Sequence, residues 1–264
     1  MSSDRWPDLP VLGSAILPPM TETSCELWPG VFEVVVNLPD DHVVIGGVMV
    51  FLHGAVSGRQ PVRVTRDVDV LCDVEVSTSS IRETVAALEQ LGYVVAADAP
   101  NESTHRYRGP NGEQVDVLAP SGVKPPPDLT TTPPGKTIEV PAGREALRHR
   151  VVVQATYGDR SADLLIPDMA RALKLKAAAY GQEYGKSPAK AWNSRHLEDL
   201  AFLTSLLTDP EPVIAGLGEA GSNLHLADVL DDPGHHAWVA AGDLAEDGYL
   251  TWEVIRHAAR SHST

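Results

Sequence analysis

The chain has 264 residues, of which 43% are hydrophobic and 22% charged, a balance typical of a folded protein with a substantial core. Its 36 acidic and 21 basic residues leave a formal charge of −15, which opposes non-specific binding to nucleic acid or to an anionic membrane. Two cysteines, Cys25 and Cys72, exclude a disulfide framework and form no metal-binding motif. Residues 1–20 lack the pattern of a signal peptide and no stretch reaches membrane-spanning length, so we expect a cytoplasmic protein.

The first part of the chain is predicted to contain an irregular arm, an extended segment and a short helix. Several prolines in residues 1–30 predict an irregular N-terminal arm. The following run, FEVVVNLPDDHVVIGG, is rich in β-branched residues and predicts extended structure that ends at Gly46 and Gly47. The next segment, VMVFLHGAV, predicts a short helix, although its valines and phenylalanine also suit a strand.

The middle of the chain predicts strands connected by a helix and turns. RVTRDVDVLCDVE alternates and predicts a strand, whereas SSIRETVAALEQLGY has apolar residues at helical spacing. HRYRGPNGEQVDVLAP predicts a β-hairpin around Asn111-Gly112, with Asp116 in its second strand. The proline- and threonine-rich residues 124–143 predict a loop, and VVVQATYGDRSADLLIP predicts a second hairpin.

The composition changes after Pro167. DMARALKLKAAAYGQEYG, NSRHLEDLAFLTSLL and YLTWEVIRHAARS are helical in composition and period. We therefore predict an α+β protein with a mixed sheet and flanking helices, followed by a mainly helical C-terminal half. The predicted divisions are an N-terminal arm (1–30), a core (31–165) and a helical C-terminal domain (166–264).

Two aspartates stand one residue apart in a strand that is otherwise apolar. Side chains alternate along a strand, so Asp67 and Asp69 share one face while valines pack on the other. Two carboxylates this close repel each other unless a cation lies between them, and a divalent ion such as Mg²⁺ supplies that charge. Asp116 on a neighbouring strand would complete a two-ion site suited to displacement at phosphorus. The alternative is a solvated acidic face, because Asp73 follows the same alternation.

A glycine pair precedes the two aspartates. Gly46 and Gly47 stand between a predicted strand and a predicted helix, where bare backbone N–H groups can hold phosphate. Thr65, two residues before Asp67, offers a hydroxyl to the same phosphates. A glycine pair alone is often only a helix start. The ordered set of glycine pair, helix, Asp-x-Asp strand and later single aspartate is more specific.

This ordered set resembles the core of the DNA polymerase β-type nucleotidyltransferase superfamily, and most of all the AbiEii/MenT-like toxins of type IV toxin–antitoxin systems. The matching segments are GGVMVFLHG, RVTRDVDV and EQVDVL. The resemblance covers roughly residues 40–205 and continues into ALKLKAAAYG and RHLEDLAFL. These two segments resemble the family's helical lysine and its basic-Asp-x-x-Asp-Leu pattern.

The resemblance implies a polymerase β-like nucleotidyltransferase sheet and a Mg²⁺-dependent transfer of NMP from an NTP to an acceptor hydroxyl. By position, Asp67 and Asp69 would bind the catalytic ions, and Asp116 would be the third metal-binding carboxylate and would help to deprotonate the acceptor. The residues that would cradle the nucleotide phosphates are Gly46, Gly47 and Thr65. The implied partners are an NTP, a tRNA 3′ end or a protein as acceptor, and a cognate antitoxin.

The helical half would supply a lysine and a further aspartate. The family pattern favours Lys174 as the catalytic lysine. Lys176 is the alternative and would bind the nucleotide, because it falls within the apolar stripe of its helix and would need an anionic partner. Asp199 would orient that lysine or the nucleotide. The chain departs from the family pattern at His196, which stands where the first aspartate is expected.

The charge of the chain leaves the acceptor open. A net charge of −15 suits a small cationic acceptor, such as an aminoglycoside, better than it suits tRNA. Binding of tRNA would require basic residues to gather on one face, namely Arg106, Arg108, Arg148 and Arg150. Arg106 and Arg108, together with His105, could instead contact phosphate or substrate, or form an exposed hairpin edge. A third possibility is a nucleotide-binding regulatory module without turnover.

Overall fold

The structure is a computed structural model, and it describes residues 5–18, 27–61, 65, 67–96, 105–218 and 223–261. The chain forms two compact units, one of Met1–Val56 with Val64–Pro167 and one of Ser57–Arg63 with Asp168–Thr264. The predicted α+β class with a mixed sheet is confirmed. Within the described ranges, no helix is both long enough and apolar enough to cross a membrane.

The first unit contains two β-sheets. One has three strands in the order β1 (Val11–Ile16), β8 (Arg150–Tyr157) and β9 (Arg160–Pro167). The other runs β2 (His42–Ile45), β3 (Asp67–Cys72), β6 (Gln114–Pro120), β5 (Arg106–Arg108) and β4 (Val94–Val95), with β7 (Ile138–Val140) also paired to β6. In this sheet β3 lies parallel to β6 and antiparallel to β2. The two predicted hairpins form as β5–β6 and β8–β9.

The described helices of the first unit are α1 (Leu27–Asn37), α2 (Gly46–Val56), α3 (Ser80–Gln90) and α4 (Gly143–Arg148). The prediction of a helix after the glycine pair is confirmed by α2, which packs against β1, β2 and β3. Its residues from Val48 to Gly54 are all buried. A helix covered on every side shows no amphipathic period, which explains why its sequence also suited a strand.

The strands of the fold all lie in the first unit, and the regular structure described in the second unit is helical. Its α-helices are α5 (Met169–Lys186), α6 (Pro188–Ala191), α7 (Arg195–Ser205), α8 (Glu211–Leu217) and α9 (Ala245–Ser261), and two 3₁₀ helices cover Asn223–Asp231 and His236–Leu244. Asp168 caps α5 by accepting from the backbone N–H of Arg171 at 2.9 Å. Ser194 caps α7 in the same way, from the N–H of His196 at 3.2 Å. α7 packs against both α5 and α9.

The segment Leu27–Asn37 forms a helix, so the prediction of extended structure there is wrong. Trp28, Val31 and Val35 are buried, whereas Glu33 and Val36 are exposed. This spacing is that of a helix face and not of a strand, which would bury every second residue. The valines favoured a strand by propensity, and tertiary packing overrode that preference.

Two short strands form where irregular structure was predicted. β1 lies inside the predicted arm of residues 1–30 and pairs in parallel with β8, so that Ser14 lies opposite Gln154. β7 lies inside the predicted loop of residues 124–143 and pairs with the end of β6. Neither strand is evident from its own segment, because a partner strand elsewhere in the chain supplies its hydrogen bonds.

Candidate active site

The strand register brings the three predicted carboxylates together. β3 and β6 are paired with Asp69 directly opposite Asp116, and Asp67 lies two residues earlier on the same face of β3. One carboxylate oxygen from each aspartate lies within 4.8 Å of the others. Asp116 is buried, and Asp67 and Asp69 are half-buried. We call these three residues the triad.

The triad offers ligands that a hard divalent ion prefers. Mg²⁺ binds oxygen at about 2.0–2.1 Å, so two ligands of one ion lie at most about 4 Å apart. A spacing within 4.8 Å therefore fits one shared ion, or two bridged ions, after small side-chain rotations. Acidic groups also gather where no ion binds, so Mg²⁺ itself stays a prediction.

The glycine pair is required by the close approach of the backbone to the triad. Gly46 has a φ of +69°, and a Cβ at this position would lie 1.7 Å from Oδ2 of Asp69. A Cβ at Gly47 would lie 2.5 Å from Oγ1 of Thr65. The first turn of α2 therefore touches the triad at a distance that any side chain would prevent. Its predicted contact with phosphate stays a prediction.

Thr65 is tied to the triad. Its buried hydroxyl donates to Oδ1 of Asp67 at 2.7 Å and lies 3.2 Å from the backbone oxygen of Asp67. A hydroxyl has one proton, and here it is directed at Asp67, so that Thr65 fixes the orientation of a carboxylate. The predicted contact of Thr65 with a phosphate stays a prediction.

Asp116 makes a contact that was not predicted. Arg106 donates from Nε to Oδ1 at 3.0 Å and from Nη2 to Oδ2 at 2.9 Å, a bidentate ion pair. The register of β5 and β6 places the two residues opposite each other. Positions at equal distance from Asn111, at the turn, face each other across this hairpin. The sequence therefore contained the signal, but for Arg106 we predicted contact with phosphate, substrate or tRNA, or an exposed position.

His105 adds no positive charge beside the triad at neutral pH. Burial lowers the pKa of His105, the carboxylate of Asp116 opposes that shift, and the charge of Arg106 adds to it. The imidazole, whose ordinary pKa is 6.5, is therefore neutral at pH 7.

The predicted lysine and Asp199 belong to the second unit. Nζ of Lys176 donates to Oδ2 of Asp199 at 2.7 Å, and both side chains are buried. Lys176 thus has the anionic partner that its apolar stripe required, while Lys174, the lysine that the motif favoured, is also buried. His196 stands in the first turn of α7, and its Nε2 lies 3.5 Å from Oε1 of Glu183.

Two of the four arginines considered for tRNA binding are paired with carboxylates. Arg106 binds Asp116, and Arg148 joins Arg144 on Glu75, at 3.3 Å and 2.7 Å respectively. These contacts neutralise charge that a tRNA backbone would need. They do not support a basic face built from these residues.

Comparison with known proteins gives no relative. No protein-family model, curated protein or solved structure matches this chain. The resemblance to nucleotidyltransferases therefore depends on the short motifs described above. The geometry of the triad is an independent observation.

Proposed function

We propose that the chain is a Mg²⁺-dependent nucleotidyltransferase that transfers NMP from an NTP to an acceptor hydroxyl. The observation that carries the proposal is the convergence of Asp67, Asp69 and Asp116 beside the glycine pair that opens α2. The mixed sheet with adjacent helices and the order of the motifs support the same reaction.

In the proposed reaction, the acceptor oxygen attacks the α-phosphorus of the NTP, a P–O bond forms, and the bond to pyrophosphate breaks. Divalent ions bound at the triad would supply positive charge for the attacking and departing oxygens. Thr65 holds the carboxylate of Asp67, and backbone N–H groups at the start of α2 would bind phosphate. Asp116 would have to release Arg106 before it accepts the proton of the acceptor, since both its oxygens accept hydrogen bonds from Arg106.

Two acceptors are proposed. The resemblance to AbiEii/MenT-like toxins favours a tRNA 3′ end or a protein, with a cognate antitoxin that restrains the enzyme. The net charge of −15 favours a small cationic acceptor such as an aminoglycoside, because the field of the chain attracts cations. The net charge is thus a specific observation in favour of a small cationic acceptor.

Labelled NTPs distinguish these acceptors. The protein is incubated with Mg²⁺ and each labelled NTP, together with total tRNA, with candidate partner proteins or with aminoglycosides. Label on one acceptor class identifies it, whereas nucleotide binding without transfer to any acceptor supports a regulatory module.

Two matched variants test the role of the triad. Asp69→Asn removes a triad charge and should abolish transfer, together with any toxicity on expression. Asp73→Asn makes the same charge change in the turn after β3, where Asp73 accepts from the N–H groups of Glu75 and Val76. Transfer at the wild-type rate in Asp69→Asn would contradict the proposal.

A further inference from the structure

Arg106 and Asp116 form a largely buried ion pair. Their side chains are 27% and 8% exposed, and the guanidinium engages both carboxylate oxygens. A bidentate pair shielded from water is shorter and stronger than an exposed ion pair. The side chain of Asp116 is therefore held in place before any ion or nucleotide binds.

The positive charge of Arg106 lies beside the three carboxylates of the triad. The oxygens of the three carboxylates approach within 4.8 Å, and Arg106 binds one of the three residues directly. A guanidinium in this place reduces the repulsion among the carboxylates. It also competes with a divalent ion, because both would use the same two oxygens of Asp116.

Gln114 provides Arg106 with a second acceptor. Gln114 precedes Asp116 by two residues on β6 and lies on the same face of the strand. With its side-chain oxygen turned toward Arg106, Gln114 accepts from Nε at 3.0 Å and from Nη2 at 3.3 Å. The guanidinium can therefore leave Asp116 and keep hydrogen bonds, without a change in the pairing of β5 with β6.

We propose that Arg106 is a positioning residue that closes the triad in the metal-free protein. When a divalent cation binds, Arg106 transfers its hydrogen bonds from Asp116 to Gln114 and frees the carboxylate. This inference rests on the part of the proposed function in which the triad binds a divalent cation. Arg106 thus stabilises the metal-free protein and weakens its affinity for metal.

Calorimetric titration of the full chain with Mn²⁺, without nucleotide, tests the inference. Arg106→Gln should bind Mn²⁺ about tenfold more tightly than wild type, because a competing positive charge is gone. Arg106→Lys keeps the positive charge but loses the bidentate contact with Asp116, so its Mn²⁺ affinity should rise about threefold. The matched control Arg108→Gln removes the same charge two residues along β5 and should change the affinity less than about twofold.

Two further measurements separate competition from a purely structural role. In a chelator, Arg106→Gln should unfold at a lower temperature than wild type, and Mn²⁺ should raise its unfolding temperature by more. In the Asp116→Asn background, Arg106→Gln should give no further gain in affinity. An unchanged or weaker affinity in Arg106→Gln, or an equal gain in Arg108→Gln, overturns the inference. If Arg106→Gln does not fold, an unchanged affinity in Arg106→Lys overturns it.

The nucleotidyl-transfer assay distinguishes failure of this inference from failure of the proposed function. Tighter Mn²⁺ binding in Arg106→Gln, with no transfer to any acceptor, supports the role of Arg106 and contradicts the enzymatic proposal. Transfer that depends on Asp69, with Mn²⁺ affinity indifferent to Arg106, supports the enzyme and overturns the role of Arg106.

Discussion

Asp116 in the first unit and Asp199 in the second are both buried carboxylates that face a cation. Asp199 pairs with the ammonium of Lys176. Asp116 pairs with one guanidinium, but two further carboxylates lie within 4.8 Å of its own. The pair of Lys176 and Asp199 joins one ammonium to one carboxylate, whereas the pair of Arg106 and Asp116 stands beside two further carboxylates. This clustering of carboxylates favours an additional cation at the triad.

The largest effect is expected at the ion pair of Lys176 and Asp199. Lys176→Met and Asp199→Leu should each lower the free energy of unfolding by about 3–5 kcal/mol, because each leaves a buried charge without this partner. The double variant should lose less than the sum of the two. Urea unfolding measures all three. Losses below about 1 kcal/mol would contradict a structural role for the pair.

The glycine at the triad should be much less replaceable than a glycine of equal backbone conformation elsewhere. Gly46 and Gly58 have φ values of +69° and +70°, but among the described residues only Gly46 has atoms within 4 Å of an added Cβ. Gly46→Ala should cost about 2–5 kcal/mol from strain and clash with Asp69, and should weaken metal binding. Gly58→Ala should cost about 1–2 kcal/mol, from strain alone. Equal losses of stability in Gly46→Ala and Gly58→Ala would show that small movements around Asp69 relieve the clash at little energetic cost.

His42 shows a third way to bury an ionisable group, which is to lose its charge. Burial lowers the pKa of His42 from 6.5 to about 4, although its Nδ1 bonds to the carbonyl of Pro39 at 2.6 Å. Between these two pH values the unfolded chain binds more protons than the folded chain. The contribution of neutral His42 to the free energy of unfolding is therefore complete above pH 6.5. It is lost as the pH falls toward 4, by up to about 3 kcal/mol.

Comparison of variants isolates this contribution. His42→Gln should reduce the loss of stability between pH 6.5 and pH 4 relative to wild type, as measured by urea unfolding at several pH values. The exposed His257→Gln is the control and should keep the wild-type slope. If the stability of His42→Gln falls with pH as steeply as that of wild type, other groups cause the pH dependence.

The smallest effect, and one of opposite sign, is expected at the triad. In a chelator, Asp67→Asn should leave the protein as stable as wild type or more stable by on the order of 1 kcal/mol, because it removes one of three mutually repelling charges. With Mg²⁺ the order should reverse, since wild type gains a ligand-linked stability that the variant has lost. Thermal unfolding with and without the ion measures both. Destabilisation of Asp67→Asn in the chelator would mean that the triad is already balanced.

The sequence predicted those elements whose signal is local. The Asn111-Gly112 turn predicted the β5–β6 hairpin, and the alternation around Asp67 and Asp69 predicted β3. α1 was mistaken for a strand because its valines outweighed its helical spacing. β1 was missed because its partner strand lies far along the chain. Propensity reports the preference of a segment in isolation, and these segments are decided by what they pack against.

The candidate site was foreseen in its carboxylates and glycines but not in its internal contacts. Motif order identified the three aspartates that the register of β3 and β6 brings together. The partners of Thr65 and Arg106 depend on side-chain geometry, which a motif does not encode. The choice between Lys174 and Lys176 as the lysine that would pair with the triphosphate illustrates the same limit and stays a prediction. The apolar stripe called for an anionic partner for Lys176, and Asp199 is such a partner.

The position of Arg106 and Asp116 on one short hairpin also affects the order in which the protein folds. A hairpin forms within about 1–10 μs, whereas the pairing of β6 with β3 must close a longer stretch of chain. We therefore expect Asp116 to meet the two aspartates of β3 already joined to a guanidinium, with its charge shielded as the sheet assembles.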